Sequence, residues 1–217
     1  MCLYYKMIVL TIAIVVIFFL LAWYFLGGGN GMKSILDYMD GKIESTGKAQ
    51  TTLDMTYTVW IRIDDFAYKP GVEKVIFVKG TPDLEMACPA LVVDPNTNAL
   101  LVKVDTYGMR EIIPIQSIPA KKWIHVAITI NDHEVAVYID GLEHSVKHLL
   151  HLPNTNSASI VTSPNEGFSG VIADLKTFDR VLGQDEISGL ADQLPSTGSE
   201  KDPQVFPPYQ AVSWFRS

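Results

Sequence analysis

Two runs of alternating side chains, WIHVAITI at 123–130 and EVAVYI at 134–139, constrain this chain more than any other stretch. In the first, Ile124, Val126, Ile128 and Ile130 point one way, and Trp123, His125, Ala127 and Thr129 point the other. In the second, Val135, Val137 and Ile139 oppose Glu134, Ala136 and Tyr138. A period of two with β-branched residues marks half-buried antiparallel strands. The polar break Asn131-Asp132-His133 joins them as a hairpin, and Asp140-Gly141 opens the next turn. One face is almost pure Ile and Val and must be covered, most simply by a second sheet. The expectation is an all-β antiparallel sandwich with this hairpin at its centre.

Other segments agree. Tyr57, Val59, Ile61 and Ile63 alternate with Thr58, Trp60 and Arg62, and KVIFVK at 74–79 follows a Lys-Pro-Gly turn. Residues 90–93 and 99–105 flank Asp94-Pro-Asn-Thr-Asn98, a hairpin by composition. Residues 112–115 contain Pro114, which suits an edge strand. Residues 159–162 and 171–178 complete the set, and such spacing with scarcely any helix reads as a sandwich or jelly roll. The domain is expected at 51–194, after a mixed linker at 32–50 that reads as a short helix.

Trp-Ile-His-Val-Ala followed by Val-Tyr-Ile-Asp-Gly resembles the laminin-G-like members of the concanavalin A-like lectin/glucanase superfamily. Downstream, Gly170-Val-Ile-Ala-Asp174-Leu-Lys-Thr-Phe178-Asp-Arg180-Val-Leu182 with Glu186-Ile187 is similar to the strand and short helix that close that domain. The resemblance implies the fold and leaves the ligand open, since the superfamily spans lectins, hydrolases, adhesion modules and structural domains. Within it, positions matching Trp123 and His125 are usually packed, and Asp174 takes a structural hydrogen-bonding role.

The ends differ in character. Met7–Leu26 is an uncharged apolar run of 20 residues, about the length that spans a bilayer core, with Trp23 and Tyr24 at its interfacial end. It is too long for a signal-peptide core and no small-x-small cleavage site follows, so the reading is an uncleaved single-pass anchor in contact with a lipid bilayer. Lys6 and Lys33 nearly balance, which leaves its orientation open. Gly27–Gly31 supplies a flexible stalk, so 1–31 is anchor plus stalk. The tail at 195–217 is rich in Pro and polar residues but carries Phe206, Tyr209, Trp214 and Phe215, anchors for a neighbouring protein. Leu194-Pro-Ser-Thr-Gly198 matches a wall-sorting motif but lacks the hydrophobic segment and basic tail that motif needs.

A net charge of −7 without a basic run argues against a nucleic-acid partner. The two cysteines, Cys2 and Cys88, flank the apolar run and do not form a disulfide framework; no Asn-x-Ser/Thr sequon occurs. Many animal laminin-G domains are disulfide-closed and extracellular, and this chain departs from that pattern. With the anchor, these absences resemble membrane or minor capsid proteins of large DNA viruses, in which the chain would link membrane and protein shell.

No catalytic residue is assigned. Glycoside cleavage needs two carboxylates about 5–10 Å apart, and the Glu-x-Asp-x-(x)-Glu spacing of the superfamily's hydrolases is absent. Asp64 and Asp65 are adjacent and face opposite ways, and Asp132 and Glu134 sit at a hairpin tip. Of the histidines at 125, 133, 144, 148 and 151, none forms a zinc-protease pair; His144 and His148 read as loop residues. No metal site and no cofactor is assigned, although calcium could be held at a loop rim, for which Asp83, Glu85, Asp94 and Asp105 are the candidates. A glycan site would use the face opposite the Ile/Val side, where alternation places Trp60, Arg62, His125, Thr129 and Tyr138. The competing reading of that face is packing. The sequence therefore points to a non-enzymatic structural or interaction protein, with a carbohydrate-binding lectin as the alternative.

Overall fold

The computed structural model describes residues 32–48, 51–193 and 195. Apart from Met32, these belong to the second of two compact units, Lys33–Ser217. The apolar run with Trp23 and Tyr24, the glycine stalk, Cys2 and the tail residues Phe206, Tyr209, Trp214 and Phe215 lie outside the described residues. Among the described residues, no helix is long and apolar enough to cross a membrane.

The alternating runs form β8 (Trp123–Ile130) and β9 (Glu134–Ile139), paired so that Val126 faces Ile139, Ile128 faces Val137 and Ile130 faces Val135. On the other side of β8 lies β3 (Met55–Asp65), with Tyr57 opposite Ile128 and Val59 opposite Val126. Beyond β9 is β10 (Leu142–His148), reached by the two-residue turn Asp140-Gly141, both with positive φ. That conformation matches the strand twist, which is why a two-residue hairpin uses it. Adding β1 (Met32–Asp40) and β12 (Ser169–Phe178) gives one six-stranded sheet in the order β1-β12-β3-β8-β9-β10.

The second sheet has the order β2-β11-β4-β5-β6-β7, from β2 (Ser45–Gly47), β4 (Lys74–Gly80), β5 (Ala87–Val93), β6 (Leu100–Asp105), β7 (Arg110–Ile115) and β11 (Ile160–Thr162). As Pro114 implied, β7 is an edge. The main core fills the space between the sheets and includes Tyr57, Ile61, Phe77, Leu91, Val102, Ile128, Val137 and Ile172.

Two sequence expectations are corrected. Residues 32–47 carry two strands rather than a helix, because β1 and β2 are edges. Only Ile35, Leu36 and Met39 of β1 pack on the core, so alternation there is weak. His144 and His148 lie on strand β10, not in a loop; the register shifts between Glu143 and Ser145, so His144 is the extra residue of a bulge. A bulge on an exposed edge discourages pairing with another chain.

The single α-helix among the described residues, α1 (Gln184–Ala191), packs on the outer face of the first sheet. Its start explains the closing signature. Arg180 donates both guanidinium nitrogens to the Glu186 carboxylate, at 2.7 and 2.6 Å, and the Gly183 amide donates to the same carboxylate at 3.1 Å. The Arg180 pair, then the Gly183 amide, hold Glu186 down to about 2. Leu182 and Ile187 bury over Ala127, Ala136, Tyr138 and Phe178. At the far end, the Ser188 hydroxyl donates to the Gly141 carbonyl at 2.9 Å, and a Cβ on Gly141 would meet the Ser188 Cα. Gly170, which opens β12, is equally confined: a Cβ there would overlap the Arg62 carbonyl and the Phe168 ring. Gly170→Ala is expected to cost about 1–3 kcal/mol in urea unfolding, the usual penalty of overpacking.

Candidate functional site

The helix leaves one stretch of the outer face uncovered. Across it run paired outward residues of β3 and β8, Arg62 opposite Trp123 and Trp60 opposite His125; Thr58 follows, opposite Ala127 of the helix-covered cluster. On the other flank of β3, Ala173 lies opposite Trp60 and Lys176 opposite Thr58, with a register shift between them. Asp174 sits in that bulge at φ 48°, a left-handed conformation that is strained for a side-chain-bearing residue in a strand. Thr58, Trp60, His125, Asp174 and Lys176, with Leu190 and Gln193 at the helix end, line a recess of about 90 Å³.

His125 governs its chemistry. The residue is 2 % exposed, its ring is tilted against Trp60 at a centroid distance of 5.2 Å, and its Nδ1 has no hydrogen-bond partner among the described residues. Burial, then the nearby Lys176 charge, lowers its pKa to about 4, with Asp174 opposing. At neutral pH the imidazole is uncharged, so one nitrogen can accept and the other donate. Its backbone is fixed by two bonds, from the His125 amide to an Asp140 carboxylate oxygen and from the Asp140 amide to the His125 carbonyl, both 2.8 Å. The recess therefore presents an aromatic ring, a neutral imidazole, a carboxylate, an ammonium, a hydroxyl and an amide. It can hold a polar group by hydrogen bonds and stack an apolar edge against Trp60. Its single carboxylate is one short of the pair that glycoside cleavage uses.

Of the residues alternation placed on this face, the structure brings Trp60 and His125 into the recess. Arg62 stands on the same face but beyond it, over the Trp123 ring at 5.4 Å and bonded to Asp64 at 3.0 Å. Tyr138 is packed in the cluster under α1, and Thr129 is also buried. Asp174 and Lys176 were missed as site residues. The signal was present: the core residues Ile172 and Leu175 are three apart, which breaks the period of two and marks the bulge.

Three of the four calcium candidates accept local hydrogen bonds. Asp83 accepts from the Glu85 amide, and Asp94 accepts from the amides of Asn96 and Thr97 in its own turn. Asp105 pairs with Arg110 and accepts from the Ala87 amide. Among the described residues, no group of three or more His, Cys, Asp or Glu converges as ligands would.

A family model described as the concanavalin A-like lectin/glucanases superfamily, of laminin-G type, matches residues 37–188. The chain belongs to this superfamily. The match starts within β1, ahead of the domain limit at 51 read from the sequence. A comparison with curated protein sequences gave no match. Solved structures similar to this laminin-G-like chain include the receptor binding domain of botulinum neurotoxin D, with a TM-score of 0.61 at 13% identity. That alignment covers 76% of this chain and 48% of the other. The serotype D ligand binding domain in complex with N-acetylneuraminic acid gives 0.61 at 13%, covering 76% and 46%. The serotype DC binding domain in complex with rat synaptotagmin II gives 0.56 at 15%, covering 74% and 46%. This chain thus spans about half the length of those domains, and at such identities the likeness is one of fold.

Proposed function

We propose that the protein is a non-enzymatic recognition module of lectin type, held at a membrane by Met7–Leu26, with a glycan as its ligand. The observation that carries the reading is the recess itself, which sets the Trp60 ring, the neutral His125 imidazole, Asp174 and Lys176 side by side on the outer face of the first sheet. The recess is far smaller than the roughly 300–1,000 Å³ of sites that engulf a ligand. It suits one edge of a sugar rather than a whole oligosaccharide. Support from similar folds is coarse: one solved neighbour holds N-acetylneuraminic acid and another holds a protein.

The test is a glycan array followed by titration calorimetry on the full-length chain. Trp60→Ala and His125→Phe should each weaken binding about tenfold or more, with the circular dichroism spectrum unchanged. Binding that survives both substitutions, or no glycan bound at all, overturns the reading. The tether from membrane to a neighbouring protein shell is the second reading, and Phe206, Tyr209, Trp214 and Phe215 are the reason to keep it. It requires that deletion of residues 204–217 weaken capture of that partner and that the 51–194 domain bind no glycan. A virion setting rests on the sequence resemblance alone. For the anchor, carbonate-resistant membrane pelleting is expected, and recovery in the aqueous phase excludes it.

A further inference from the structure

At one end of the sandwich three loops are fastened together by their backbones. The amide of Tyr107 donates to the Leu152 carbonyl at 3.0 Å, that of Asn154 to Asp105 at 2.8 Å, and that of Leu149 to His133 at 2.8 Å. Thr106 and Pro153 form an isolated bridge, and the His151 ring lies where any Cβ on Gly108 would be. From this fixed base four large apolar side chains stand in solvent: Tyr107 (72 % exposed), Met109 (54 %), Leu150 (75 %) and Leu152 (48 %). Three of them border a shallow recess of about 470 Å³ with His133 and His151. A rigid apolar patch of this kind marks a contact surface.

Strand polarity says what it faces. The Gly41 amide donates to the Gly170 carbonyl, and the Phe168 amide to the Gly41 carbonyl, so the end of β1 meets the start of β12. The two strands are neighbours, so β1 must begin near the far end of β12, at Phe178. Phe178 pairs with Thr56, and Met55 with Ile130, one residue before the loop that holds His133. The chain therefore enters the domain at the end that carries the patch. Between Leu26 and Met32 the polypeptide can reach roughly 20 Å at most. The nearby cations Arg110 and Lys147 are paired with Asp105 and Glu111, and Asp132 beside His133 adds a negative charge, so this end offers nothing to an anionic lipid surface and favours an uncharged one.

We propose that Tyr107, Met109, Leu150 and Leu152 seat the domain on the zwitterionic bilayer that holds its own anchor; this rests on the membrane reading given above. The entry point and the patch lie on opposite edges of the first sheet, about 24 Å apart across five strand spacings. Trp60 lies five residues along β3 from Met55, which lifts the outer-face recess about 17 Å from that end. The recess is thereby held clear of the headgroups.

The experiment places an environment-sensitive fluorophore at Leu150→Cys in the full-length chain carrying Cys2→Ser, in phosphatidylcholine nanodiscs with nitroxide-labelled lipid. Cys88 is fully buried and stays unlabelled. Val72→Cys, exposed in the β3–β4 connection at the opposite end, is the comparison site. Co-isolation with discs and at least threefold stronger lipid quenching at 150 than at 72 is the expected result. Co-isolation with equal quenching overturns the proposal and leaves the anchor standing. Failure to co-isolate removes the anchor reading and the proposal with it. A blue-shifted but unquenched label at 150 overturns it in favour of a second copy or the 196–217 tail as the cover.

Discussion

Ile128→Ala should lower the free energy of unfolding by about 2–5 kcal/mol, from lost transfer energy plus an incompletely collapsed cavity. Ile128 is 1 % exposed and lies between Tyr57 on β3 and Val137 on β9, in the middle of the intersheet core. Glu134→Ala, at the start of β9, should change stability by less than about 0.5 kcal/mol, as a surface substitution does. Urea titrations of the two variants check the pair. A loss below about 1 kcal/mol for Ile128→Ala would mean that the hairpin register is wrong, since a one-residue slip turns this face outward.

Acid should weaken the fold through one residue above all. Unfolded His125 regains the ordinary imidazole pKa of 6.5, whereas in the fold it is held at about 4 by burial and by the Lys176 charge. Between those values only the unfolded chain takes up the proton, so stability present above pH 6.5 is lost as the pH falls through 4. At about 1.4 kcal/mol per pH unit, the loss approaches 3 kcal/mol. Carboxylates such as Glu186 add their own acid sensitivity at lower pH, since their folded pKa values are depressed. His125→Gln isolates the imidazole contribution: its stability at pH 4 relative to pH 7 should fall by about 3 kcal/mol less than that of the natural chain. Parallel pH curves would show that His125 is not held neutral by the fold.

The sandwich was legible where the intersheet face of a strand carries large apolar residues at every second position, as in β3, β8 and β9. Val126, Ile128 and Ile130 announced their partners Ile139, Val137 and Val135 in that way. Where burial is slight the period fades, and β1, exposed along most of its length, could not be told from a linker. The opposite failure occurred on the outer face. His125, Thr129 and Tyr138 have polar atoms and alternate as solvent-facing residues would, yet all three are buried, Tyr138 in the cluster under α1. A short helix can be read from sequence, but not the place where it lands. The same limit hid the recess, whose lining comes from three strands and a helix end distant in the chain. Only Thr58, Trp60 and His125, on the alternating strands, were within reach of local pattern.

Strand order also sets a timetable. In the first sheet β1 is flanked only by β12, and that strand begins at Ser169. A ribosome adding 5–20 residues each second needs roughly 6–26 s to travel from the end of β1 to the start of β12. Throughout that interval the N-terminal strand has no ladder to join, and α1, which covers part of the outer face, is still later. The domain closes from its C-terminal end backwards, so a nascent chain cut short before residue 169 would leave both β1 and the outer side of β3 open to aggregation.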